Sequence, residues 1–259
     1  MIIGAQLFSV RDKFATEQDT YETLEKISSY GYKSVQVSGF PYDASSFKKI
    51  ADEFNLHIGL THTALSDIID NTDKVINDHL ILGADVVGLG FPNGYVDMKT
   101  REISDIKSFV STLKEPVKKI NDAGLMFGYH NHDMEFRTSG GICPIDYIYE
   151  QTSWQFILDV GWCDFAGADT VKYIKKFKNR LKYAHLKDFR EALPEDESVA
   201  QRIVSLFSGK TPLDEIIKAL IENDVYAAYV EQDTAPNYPD SLKEMKKSID
   251  ALKIKGWIK

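Results

Sequence analysis

The 259 residues are 43% hydrophobic and 27% charged, enough apolar material for a sizeable core with the polarity of a soluble chain. A net charge of −8 argues against nucleic acid as the main partner, because phosphate recognition calls for clustered Lys and Arg. No apolar run reaches the roughly 18 residues of a membrane span, and residues 1–8 lack a basic segment followed by a long apolar stretch, so a cytoplasmic protein without a membrane partner is expected.

The chain opens with a strand over residues 2–8. A helix follows from about Asp19, which can cap it with Glu22 in capping-box spacing. Tyr21, Leu24 and Ile27 recur on one face, and Gly31 ends the helix as a left-handed cap would. That unit repeats. Short apolar runs stand near residues 2–8, 33–37, 56–61, 85–90, 125–130, 155–159, 181–186 and 226–231, with amphipathic stretches between them. Gly31, Gly83 and Gly124 each precede a run, as helix caps feeding a strand. Cys143 and Cys163 form no CxxC pair and read as reduced thiols. Residues 190–211, with Pro194 and Gly209, predict a long loop over the site, or else a surface excursion. The last helix opens at Pro239 and carries Leu242, Met245, Ile249 and Leu252 on one face.

Eight strands alternating with helices predict a parallel sheet, and eight is the number that closes a barrel. The loop after the first strand, Ser9-Val10-Arg11-Asp12, contains no glycine, so an open sheet with a phosphate loop finds no support. The expectation is an α/β chain, a single (β/α)8 TIM barrel forming one domain over residues 1–259.

In such a barrel, chemistry sits at the C-terminal strand ends. Four of the six histidines (His62, His130, His132, His185) fall there, with Asp159 and Glu231. Imidazoles and carboxylates converging on one mouth suit a metal. Each has a structural alternative: a hydrogen-bonded mouth histidine for His62, a helix N-cap for Asp159, a packed core histidine for His185, a salt bridge for Glu231. Glu135 can be a surface carboxylate, and Lys187 can simply pair with Asp188. Phe8 and Trp162 can line the pocket, since aromatic faces suit a sugar ring.

The segments Gly4-Ala5-Gln6-Leu7-Phe8-Ser9-Val10-Arg11-Asp12, Tyr129-His130-Asn131-His132-Asp133, Leu158-Asp159, His185-Leu186-Lys187-Asp188 and Val230-Glu231-Gln232-Asp233 resemble the sugar phosphate isomerase/epimerase family. It belongs to the xylose-isomerase-like barrels, with ketose 3-epimerases, inosose dehydratases and abasic-site endonucleases. The resemblance covers nearly the whole chain. It implies one divalent metal ion held by Glu, Asp, His and Glu from strands five to eight. Asp159, His185 and Glu231 match. His130 stands where the family has the strand-five Glu, so either His130 substitutes or Glu135 folds back. An imidazole ligand favours Mn, Zn, Co or Fe over Mg, which wants oxygen.

The implied activity is isomerisation or epimerisation of a small sugar, moving a proton through a metal-bound enediolate, with Glu231, His130 and Lys187 as catalytic groups. Gln6, His62, His132, Glu135, Trp162 and Arg190 are the expected substrate contacts. A dehydratase or lyase acting on a keto-sugar, keto-glycoside or inosose needs similar chemistry and is the alternative, followed by a non-catalytic sugar-binding barrel. An endonuclease is disfavoured, because Trp162 stands where that branch has a further histidine. The sequence is silent on a homo-oligomer and on whether the sugar is phosphorylated.

Overall fold

The computed structural model describes residues 1–258 other than 98, 101, 139 and 197. Its strands β1 (Ile2–Gln6), β2 (Ser34–Val37), β3 (His57–Thr61), β4 (Val86–Leu89), β5 (Met126–His130), β6 (Gln155–Asp159), β7 (Tyr183–Leu186) and β8 (Ala227–Val230) pair in parallel in chain order, and β8 closes on β1. The chain is a (β/α)8 barrel, as its pattern of runs predicts. Among the described residues, no helix is long and apolar enough to cross a membrane.

Every strand is buried on both faces, which is why the runs read as nearly continuous apolar stretches. One set of side chains, including Val35, Val87, Phe127, Leu158 and Ala184, packs under the helices. The alternate set, Leu60, Val86, Ile157, Tyr183, Ala227 and Tyr229, fills the barrel axis. Two tyrosines on the axis need room. A Cβ on Gly59 would stand 2.3 Å from the Tyr229 hydroxyl, so glycine there lets the ring lie across the barrel. That hydroxyl shares a 2.8 Å hydrogen bond with Ser34 Oγ, which satisfies both groups.

Gly31, Gly83 and Gly124 all adopt left-handed backbone, with φ of +110°, +67° and +82°, as expected at helix–strand joints. Two helix starts differ from expectation. The first helix is Glu17–Tyr30, one half-turn earlier than Asp19. Thr16 caps it, accepting from Asp19 N–H at 3.1 Å while the Asp19 carboxylate takes Thr16 N–H at 3.0 Å. Thr16 and Asp19 satisfy the same spacing rule as Asp19 and Glu22, and the earlier start places two acidic residues at the positive helix end. The last helix is Ser241–Ile254, capped by Asp240, so Pro239 precedes it. Strand β1 is shorter than its run, because residues 7–13 coil into a 3-10 turn.

Candidate functional site

The period-two alternation that fills the axis also decides which strand-end side chains meet at the mouth. Gln6, His130 and Asp159 close β1, β5 and β6, Gln36 and His185 stand one residue before the ends of β2 and β7, and Glu231 follows β8 directly. His185 Nδ1 lies 2.8 Å from Glu231 Oε2 and 4.0 Å from Asp159 Oδ2. His130 Nε2 lies 3.5 Å from Asp159 Oδ2 and 3.9 Å from Glu231 Oε2. One donor atom from each of these four buried residues lies within 4.8 Å of the others. Two imidazoles and two carboxylates at that spacing can hold a divalent ion.

The fit extends to hydrogen bonding. His130 Nε2 is buried without a hydrogen-bond partner. His185 Nε2 lies 2.6 Å from Gln36 Oε1, which holds the ring with Nδ1 toward the carboxylates. The 2.8 Å contact of Nδ1 with Glu231 Oε2 is a hydrogen bond when a proton lies between them, and the same two atoms face a cation when one takes its place. Asp159 serves twice with different atoms. Its Oδ1 caps the helix Val160–Phe165, accepting from Trp162 N–H at 2.9 Å, and its Oδ2 faces the cluster. The N-cap alternative is therefore real and compatible with a ligand role. His62 forms a second candidate donor group with His130 and His185, its ring 4.7 and 5.2 Å from theirs.

Lys187 is buried among the carboxylates. Its Nζ lies 3.0 Å from Asp159 Oδ2, 3.2 Å from Glu231 Oε2 and 3.2 Å from Asp233 Oδ1. Burial alone would make it shed its proton, but Asp159, Asp233 and Glu231 outweigh that and hold it well above the usual lysine range. Lys187 thus stands as a counter-charge to these three carboxylates. Glu231 is pushed up by burial but pulled well below the usual carboxyl range by Lys187, His185 and His130. Gln6 Nε2 donates to its other oxygen at 3.0 Å. His62, His130 and His132 are all driven well below the usual histidine range, chiefly by burial and then by the neighbouring imidazoles, His185 among them, with Lys187 adding to the effect at His130 and His132.

A cavity of about 390 Å³ opens over the cluster. Of the expected residues, Gln6, Phe8, His62, His130, His132, Lys187 and Glu231 line it. Ser38, Phe91, Asn93 and Asp233 line it too and were not singled out by sequence, although all lie just past strand ends. Burial lifts Asp233 to about 7 against the pull of Lys187.

Three expected contacts lie elsewhere. Trp162 sits behind the site, its ring 5.3 Å from Lys187 Nζ. Arg190 is held by Asp196 at 2.7 and 2.9 Å, and the described residues of the segment 190–211 contribute no wall to the cavity and form an excursion instead. Glu135 neither folds back to the cluster nor reaches the cavity. Tyr129 Oη–H donates to one of its oxygens at 2.6 Å and His132 N–H to the other at 2.7 Å, because a buried carboxylate must find donors locally. Burial raises its pKa to about 7 even against those bonds. A raised folded-state value favours the folded protein below the ordinary 4.5 and is lost as pH climbs through 7. Glu135→Gln, which keeps an acceptor for Tyr129, is thus expected to remove a loss of roughly 3 kcal/mol between pH 4.5 and 7, read from denaturant melts at several pH values. Equal pH slopes for both proteins would refute it.

No protein-family model matches the chain, and no curated protein matches it. Solved structures do. A sugar phosphate isomerase/epimerase from Parabacteroides distasonis superposes with a TM-score of 0.77 at 20% identity, covering 99% of this chain and 95% of that one. A probable 3-DHS dehydratase from Bacillus anthracis gives 0.70 at 12% identity over 98% and 99% of the two chains. A D-allulose 3-epimerase from Methylomonas sp., in complex with D-allulose, gives 0.72 at 13% over 98% and 96%. Likeness end to end at such low identity shows the fold alone, a (β/α)8 barrel shared with these proteins.

Proposed function

We propose that this chain is a metal-dependent enzyme that isomerises or epimerises a neutral, unphosphorylated sugar by moving a proton next to its carbonyl. The observation that carries the reading is the convergence of His130 Nε2, Asp159 Oδ2, His185 Nδ1 and Glu231 Oε2 within 4.8 Å beneath a sugar-sized cavity. A divalent ion held by these four residues supplies polarisation of the carbonyl, which acidifies the adjacent C–H. Glu231 takes that proton, its carboxylate steadied by Gln6. Glu231, protonated by that transfer, gives the proton to the neighbouring carbon. His132 lines the cavity and its buried Nδ1 has no hydrogen-bond partner, so it takes the proton of a substrate hydroxyl and relays it to the former carbonyl oxygen. Of the other catalytic groups the sequence offered, His130 stands among the four ligands and Lys187 among the carboxylates. Charge argues against a phosphorylated substrate. Among the described residues lining the cavity, Lys187 is the one Lys or Arg, and three carboxylates already surround it.

The test is solvent-deuterium incorporation into a panel of aldoses and ketoses, followed by NMR on protein loaded with Mn²⁺, Zn²⁺ or Co²⁺. Deuterium is expected at the carbon beside the carbonyl. It should be absent in Glu231→Gln and slowed by about 10² to 10⁴ in His132→Ala. No incorporation with any sugar or metal would end the isomerase reading. Loss of water or of a substituent without isomerisation would favour the lyase reading, which the dehydratase of the same fold and the imidazole at the strand-five position keep in view.

A further inference from the structure

A second cavity of about 340 Å³ lies beside the first. The two share a wall made of His62, Thr63 and Ala64, just past β3. The rest of the second cavity comes from the loop after β2 and the helices Leu65–Asp70 and Thr72–Leu82. Phe40 and Tyr42 give it aromatic walls, their rings 6.4 Å apart and tilted by 67°. Asp67, Asn71, Lys74 and Asp78 give it polar edges. Lys74 pairs with Asp78 at 2.5 Å and Asn71 donates to Asp67 at 3.1 Å, so donors and acceptors sit next to one another. The Tyr42 hydroxyl makes no hydrogen bond with another described residue, and the buried His62 Nε2 in the shared wall has no partner either.

We infer that this side cavity is a subsite for the second ring of a two-unit substrate, a neutral glycoside whose reacting ring lies in the main cavity. Rings flanked by alternating donors and acceptors match the apolar face and hydroxyl rim of a pyranose. Two carboxylates against one lysine disfavour an anionic unit. The main cavity, at about 390 Å³, takes one sugar ring, and the adjoining space lies across a wall only three residues long. The inference rests on the sugar reading above and adds the substrate's size and its second contact surface.

Calorimetric titration of the full, metal-loaded chain tests it, with D-glucose and D-allulose against maltose, cellobiose and sucrose. At least one disaccharide should bind about tenfold more tightly than either monosaccharide. That preference should fall about fivefold in both Tyr42→Ala and Asp67→Asn. Asp67 is exposed, so its variant reports on binding even if loss of the Tyr42 ring disturbs packing. Monosaccharide binding with no disaccharide preference, or a preference that survives both variants, overturns the subsite and leaves the sugar reading intact. Absence of binding by every saccharide overturns both.

Discussion

Lys187→Met is expected to destabilise the metal-free protein by about 3 to 5 kcal/mol, the cost of stripping the partner from buried charges. For a chain of this size that lowers the melting temperature by roughly 10 °C. The reason is local. Asp159 and Glu231 are buried, and the ammonium is within 3.2 Å of both and of Asp233. Methionine fills the space beside Trp162 without supplying charge. The same change is expected to tighten divalent-metal binding, because the ion no longer competes with an ammonium for Asp159 Oδ2 and Glu231 Oε2. Calorimetric melting with and without added Mn²⁺ reads both effects. Metal should restore most of the lost stability, by mass action on the folded state. A variant as stable as the parent without metal, or one that metal fails to rescue, would show that Lys187 is not the counter-ion of this cluster.

Asp159→Asn separates the two jobs of one side chain. Its Oδ1 can still accept Trp162 N–H, so the helix cap, worth about 1 kcal/mol, is retained. The charged ligand oxygen is lost. The parent protein is expected to carry about one divalent ion per chain, and Asp159→Asn to lose affinity by more than the ten- to hundredfold typical of an outer-shell partner. His130→Glu should keep the ion and move preference from Zn²⁺, Co²⁺ or Fe²⁺ toward Mg²⁺ and Mn²⁺, since it replaces nitrogen by oxygen. Elemental analysis and competitive titration measure both. Parent protein that takes up no ion, with Asp159→Asn indistinguishable from it, would remove the metal from the account.

Much of this was legible in the residues. The eight strands lie inside the eight apolar runs, because burial on both faces makes each strand a short continuous signal. Asp159, His185, Glu231 and His130 could be placed at one mouth because a barrel brings all strand C-termini together. Helix starts were less legible. Thr16–Asp19 and Asp19–Glu22 offer the same capping chemistry three residues apart, and only the packing of the helix on the barrel selects one.

What the sequence determined by itself was order and type: short apolar strands, helices between them, and which side chains stand at strand ends. Those are local properties, fixed by residues close in the chain. What only the tertiary structure decided was partnership. Lys187 became a counter-charge because three carboxylates from β6 and the end of β8 surround it. Gln36, from β2, orients His185, from β7, across 149 positions of sequence. Glu135 and Arg190, promising as contacts, were drawn off by Tyr129 and Asp196 a few residues away. Charge and hydrogen bonding act over a few ångströms of space, and a sequence does not state which distant groups closure of the barrel will bring within that reach.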